Sequence, residues 1–243
     1  ATQLIPKQGI FKSMSGMRDA ELALAVEAAG QWGMFTAAQA TRLGMTRKRI
    51  TQLCAADRIH HTDTRAVYRF AGTPTDITLD AVRATWLALE PSHFAGERLD
   101  ALRAGTPGPL ASHLTAAHYL YELGTLQPDH LDYTVPTPRR TNNPWIRFHV
   151  PRQWPPWRLV AGIPTTTIAQ TIADLYADGI DAGHLGDILR DTLTRALANI
   201  ADLTDALDPL TNGAGRDTIE HALTVVGAPA HLIAANELLF TGR

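Results

Sequence analysis

The densest chemistry in the chain lies between Thr46 and Gln52, "TRKRITQ". Three consecutive cations followed by a hydroxyl and an amide are donors suited to nucleic acid. Arg or Lys donates to guanine O6 and N7, and Gln pairs bidentately with adenine. At helical spacing, Ile50, Leu53 and Cys54 share an inner face, so Arg47, Lys48, Thr51, Gln52 and Ala55 project outward. Arg49 falls on the flank, where a phosphate is the expected partner. Thr46 is a natural N-cap, and the helix N-terminus it opens attracts phosphate in its own right. Taken alone, these side chains also fit a solvated helix face that binds nothing.

Their setting favours recognition. Net charge is −2 over 243 residues, but it is sorted along the chain. Residues 1–72 carry +5, residues 73–158 balance, and residues 159–243 carry −7. A basic head beside an acidic tail points to a polyanion at one end only. The head also holds a second basic cluster, His60, His61, Arg65 and Arg69, from which His61, Arg65 and Arg69 join the candidate DNA-binding set. Lys7 and Lys12 lie in a segment, residues 1–16, that reads as a loose arm.

Other chemistry is thinly supplied. Cys54 is the single cysteine, which excludes an internal disulfide and a multi-cysteine zinc site, and its inward position suits a small core residue. His60 and His61 are strand neighbours pointing to opposite faces, so they do not share a metal. His93, His113, His118 and His149 stand among several acids, but structural or capping histidines explain them better than catalysis does. There is no Walker loop, HExxH or Gly-x-Ser-x-Gly, and the last lysine is Lys48, so no acid-x-Lys nuclease signature follows it. The expectation is a protein without enzyme activity, cofactor or metal. No apolar run reaches the ~18 residues of a membrane span, and "ATQLIPKQGIFK" lacks a signal-peptide core. A cytoplasmic location is expected.

The elements that must hold these residues follow from period and caps. Leu22, Val26 and Ala29 mark a helix starting near Met17 and ending at Gly30. "GQWGMF" reads as a link, and Thr36-Ala-Ala-Gln39 fits a capping box. Ala40 and Leu43 face inward, Gly44 turns the chain, and the Thr46 helix follows to near Asp57. Ile59 and Ala66–Phe70 make a hairpin with Arg65 near its tip. Helix, helix, turn, helix, hairpin is the order of a winged helix-turn-helix. "AGTPTD" places a boundary after residue 72.

Residues 73–243 then read as a mainly helical domain with a small sheet, an α+β fold overall. Helices are expected at Ile77–Leu89 and His113–Leu123. Strands are expected in "LDYTVP", "WIRFHV" and "WRLVAGIP", with "TPRRTNNP" as a long hairpin loop. Pro164 opens a helix through Thr165–Tyr176, and acidic helices follow around Leu185–Leu193, Ile200–Leu207, Thr218–Val226 and Pro229–Phe240.

The stretch from Gly33 to Gly72 resembles the winged-helix domain of AbiEi-type antitoxins, down to its aliphatic-Tyr-Arg wing, "VYRF". Three further segments are similar to that family in order: Ser112, His113, Thr115, Ala116 and Ala117; "VPTPRR"; and "VAGIPTTTIAQTIADLY" with Asp174. The resemblance covers residues 30 to about 195 and departs at Gln170, where the family usually has Arg. It implies a type IV toxin–antitoxin role. The N-terminal domain would repress its own operon on double-stranded operator repeats, with dimeric or cooperative binding. The second domain would counter a nucleotidyltransferase-like toxin without a stable complex, with Arg139 and Arg140 as its candidate surface. Composition and spacing reach only the DNA-binding half. A stand-alone transcription factor with a ligand-sensing or oligomerising second domain, or an enzyme of unrecognised class, remains open at this point.

Overall fold

The structure is a computed structural model and describes residues 8–241. Its helices and two small sheets make it α+β, as expected. The chain forms two compact units, Ala1–Thr106 and Pro107–Arg243.

The first unit opens on α1 (Gln8–Ala29), so the expected arm is helical from Gln8, and residues 1–7, with Lys7, lie outside the described residues. Its buried face is Ala20, Leu24 and Ala28, whereas Leu22 and Val26 are 67% and 66% exposed. Both triplets satisfy helical spacing; the one built on two alanines is buried. A left-handed turn at Trp32 and Gly33 then leads into β1 (Met34–Thr36). Gly33 is required there: its φ is +72°, and a Cβ would overlap the side chain of Thr73.

The helix-turn-helix is α2 (Ala37–Arg42) and α3 (Arg47–Ala55). Thr36 and Gln39 form the expected capping box, and Thr46 caps α3 by accepting from Arg49 N at 3.2 Å. The wing is β2 (Ile59–His61) and β3 (Val67–Phe70), antiparallel with His61 opposite Tyr68. The link "GQWGMF" contributes β1, which pairs antiparallel to β3 and completes a sheet ordered β1-β3-β2. Phe35, Ala40, Met45, Ile50, Leu53 and Ile59 fill the core between helices and sheet.

The unit does not end at residue 72, because α4 (Asp80–Leu89) and α5 (Ala95–Arg103) belong to it. Phe94 enters the same core. A buried amide relay stitches the segment in: Gln39 Nε2 donates to His93 O at 2.7 Å, and Ala95 N donates to Gln31 Oε1 at 3.0 Å. Arg42 clamps Glu97 through its two terminal guanidinium nitrogens, Nη2 at 2.5 Å and Nη1 at 2.6 Å. The Gly/Pro/Thr signal after residue 72 is therefore a loop inside the unit.

The second unit begins with β4 (Leu110–Ala111) and a π-helical segment, Thr115–Leu120, where an ordinary helix is expected from sequence. Then come β5 (Leu131–Thr134), β6 (Ile146–His149), β7 (Trp157–Val160) and β8 (Ile163–Thr166), in a sheet ordered β6-β5-β4-β8-β7. β5 and β6 are parallel, so "TPRRTNNP" crosses over between parallel strands and is not a hairpin loop. Arg140 is exposed on that crossover and Arg139 is half-buried. Pro164 lies in β8, paired with Leu159, and α6 (Ile168–Ala177) starts after it, capped by Thr167. Helices α7 (Ala182–Thr194), α8 (Ile200–Thr211), α9 (Gly215–Val225) and α10 (Leu232–Thr241) complete the unit. The predicted inward stripes Leu185, Ile188, Leu189, Leu193 and Ile200, Leu203, Leu207 are all buried in one core. At Gly186 a Cβ would press into Ala222 O and Val226, so that glycine sets how closely α7 meets α9.

Candidate functional site

The helix-turn-helix sorts the candidate DNA-binding residues into those that face solvent and those already engaged. On α3, Ile50 and Leu53 are buried, and Arg47, Lys48, Thr51 and Gln52 are exposed, as the spacing predicts. Cys54 is half-buried, and burial pushes its thiol above the ordinary value. Thr46 is spent on its cap, and its exposed position keeps the α3 N-terminus open to a ligand.

The wing brings a further cation to the same face. Thr62 Oγ1 accepts from Thr64 N, and its one proton lies within reach of the carbonyls of both Thr64 and Val67, so the tip is held in shape. Ala66 takes a left-handed φ of 62° there. Arg65 is exposed beside it and, with Arg47, borders one concavity that Thr36, Ala37, Thr41 and Pro91 also line. Arg47, Lys48 and Arg65 have no ion pair with any described residue. His61 is exposed on β2, its ring 4.9 Å from Tyr68 and its Nε2 3.8 Å from Cys54 Sγ.

Two candidates from the sequence are otherwise employed. Arg49 reaches back to α1, its Nε 2.5 Å from Glu21 Oε1, so most of its charge is answered inside the protein. Arg69 is 6% exposed: it donates to Pro74 O at 2.8 Å and pairs with Asp80 at 2.5 Å. It docks α4 onto the sheet and is unavailable to DNA. The sequence places it on a strand of the hairpin among the basic candidates; the helix α4 covers that face and makes it an interior.

Two of the histidines that the sequence reads as structural belong to a second constellation. His113, His149 and Asp178 converge in the second unit, with the two imidazole rings stacked at 3.5 Å between centroids. Burial pushes His113 down to about 4, helped by the facing His149. Asp174, one turn before Asp178, is pushed up to about 6 by burial, against the pull of Gln170 Nε2 at 2.7 Å. The residues come from distant parts of the chain, and no local motif joins them. The Ser-His pair at 112–113 was the available signal. Ser112, Thr115, Ala116 and Ala117 of that motif are fully buried.

No family model and no curated protein matches the chain. Among solved structures it is similar to the RV2827C protein from Mycobacterium tuberculosis, with a TM-score of 0.50 and 16% identity. The match covers 88% of this chain and 80% of that one. At that identity the likeness is one of fold.

Proposed function

We propose that this protein binds double-stranded DNA through α3 and the wing, represses its own operon in the cytoplasm, and acts as the antitoxin to a nucleotidyltransferase-like toxin. The observation that carries the DNA-binding half is the shared face of Arg47 and Arg65. A helix N-terminus and a wing tip border one concavity, their cations exposed and without an ion pair to a described residue. In this arrangement Arg47 and Gln52 reach base edges, Lys48 and Arg65 meet phosphates, and His61 and Thr51 sit beside them. The antitoxin half rests on the four segments that resemble AbiEi-type antitoxins in order; Arg140 is its exposed candidate contact.

The convergent histidines favour a second reading, a transcription factor whose second unit takes a ligand. Rescue separates the two. An Arg47→Ala/Arg65→Ala protein, unable to hold its operator, should still protect cells that express the adjacent gene if it is an antitoxin. Loss of operator binding with no protection by either the native or the doubly substituted protein would reject the antitoxin role and leave the regulator.

A further inference from the structure

Three elements of the second unit each deliver one metal-ligating side chain to a common point. His113 follows β4 at the entrance to the π-helical segment, His149 ends β6, and Asp178 ends α6. One ligating atom of each lies within 4.8 Å of the other two. Segments of π-helix recur at functional sites because the extra residue per turn displaces side chains from their ordinary places.

Each imidazole is held from behind. His149 Nε2 lies 2.8 Å from Asp132 Oδ1, and Asp132, 1% exposed, also takes His130 Nε2 at 3.1 Å. His113 Nδ1 lies 3.0 Å from Ser112 Oγ. Ligating histidines commonly give their second N–H to a carboxylate or oxygen in this way, which fixes the tautomer and leaves the other nitrogen's lone pair for the ion. Here those nitrogens are His149 Nδ1 and His113 Nε2, the latter 3.8 Å from Asp178 Oδ2. The backbone at His113 sits at φ 49°, a costly conformation for a residue with a Cβ. The two rings stack with 15° between their planes, so they must turn before both in-plane lone pairs meet one ion.

We propose that His113, His149 and Asp178 bind a divalent transition metal of the zinc class, with Asp132 and Ser112 orienting the two imidazoles. Two nitrogens and one oxygen suit zinc and its first-row neighbours and not calcium or magnesium, which take oxygen donors. Tetrahedral zinc places its ligand atoms roughly 3.3 Å apart, so side-chain rotation must draw atoms now within 4.8 Å of one another together by up to about 1.5 Å. Three protein ligands leave a position for water or a small anion. Asp178, with its side chain 45% exposed, connects the site to solvent.

The test uses the full chain after chelator treatment, with Zn²⁺ followed by calorimetry and Co²⁺ by its visible absorption bands. The native protein should bind one ion per chain and gain thermal stability. Asp178→Asn, at an exposed helix end where folding is undisturbed, should weaken Zn²⁺ at least tenfold and alter the Co²⁺ spectrum. His149→Ala should abolish stoichiometric binding. Asp132→Asn should weaken Zn²⁺ by about 10–100-fold while one ion still binds. The proposal is overturned if the native chain shows neither Zn²⁺ heat nor Co²⁺ bands. It is equally overturned if one ion binds with native affinity in both Asp178→Asn and His149→Ala.

Discussion

Replacing Arg69 distinguishes a residue that builds the wing from one that touches DNA. The residue is 6% exposed, and its guanidinium is held by Asp80 at 2.5 Å and Pro74 O at 2.8 Å. Removing one partner of a buried ion pair costs about 3–5 kcal/mol, since the other charge is left buried and unpaired. In Arg69→Ala the stranded group is Asp80, which is 25% exposed and keeps Arg83 at 3.7 Å, so the loss belongs near the low end, about 3 kcal/mol. In Asp80→Ala the stranded group is the more deeply buried cation, so that variant should be the less stable of the two. Urea unfolding, with hydrogen exchange of the β3 and α4 amides, reads both losses. DNA affinity, measured at low urea where the variants remain folded, should be unchanged. Native-like stability in Arg69→Ala together with a salt slope reduced by about 1 would refute the reasoning and return Arg69 to the phosphates.

Further outcomes follow from the same geometry. Arg49→Ala should leave the salt dependence of DNA binding nearly unchanged, because Glu21 already answers that charge, whereas Arg65→Ala should lower the slope by about 0.9, the share of one phosphate contact; titrations at several salt concentrations decide. Gly186→Ala should destabilise the second unit by about 1–3 kcal/mol, the range for forced overpacking, read by denaturant unfolding. The Arg42 guanidinium holds the Glu97 carboxyl down to about 2, so the clamp contributes stability above the ordinary carboxylate range and loses it as pH falls toward 2. Glu97→Gln should be less stable than the native chain at pH 6, with the difference shrinking by pH 2; a difference that is constant with pH would show that the clamp contributes nothing.

The parts of this fold that could be read from sequence are those that local chemistry dictates. Thr36 and Thr46 cap their helices because a side-chain oxygen three residues upstream of a free N–H has few better partners, and Gln39 Oε1 reaches back to accept from Thr36 N. The leucine stripes of α7 and α8 were buried as spaced. What failed depended on distant partners. The face of α1 was ambiguous until Phe35 and Ala40 supplied its neighbours. The boundary after residue 72 looked sound because nothing in "AGTPTD" reveals that Phe94 and the backbone of His93 fasten to the first unit. β5 and β6 looked like a hairpin because both are short and follow one another along the chain; strand direction is decided by the sheet around them. The site followed the same division. Arg47, Lys48 and Gln52 were legible from helical spacing, Arg69 was misread because α4 covers it, and the meeting of His113 with His149 and Asp178 was not legible because only the assembled unit, sheet and α6 together, creates it.

The most direct measurement is the binding of the purified protein to DNA from just upstream of its own gene, against scrambled DNA of the same length, at two salt concentrations. The account predicts a clear preference for the native sequence and weaker binding at the higher salt. It also predicts that Arg47→Ala loses about 1–3 kcal/mol of that preference. Equal affinity for both DNAs at both salt concentrations, or a preference that survives Arg47→Ala and Gln52→Ala together, would contradict it.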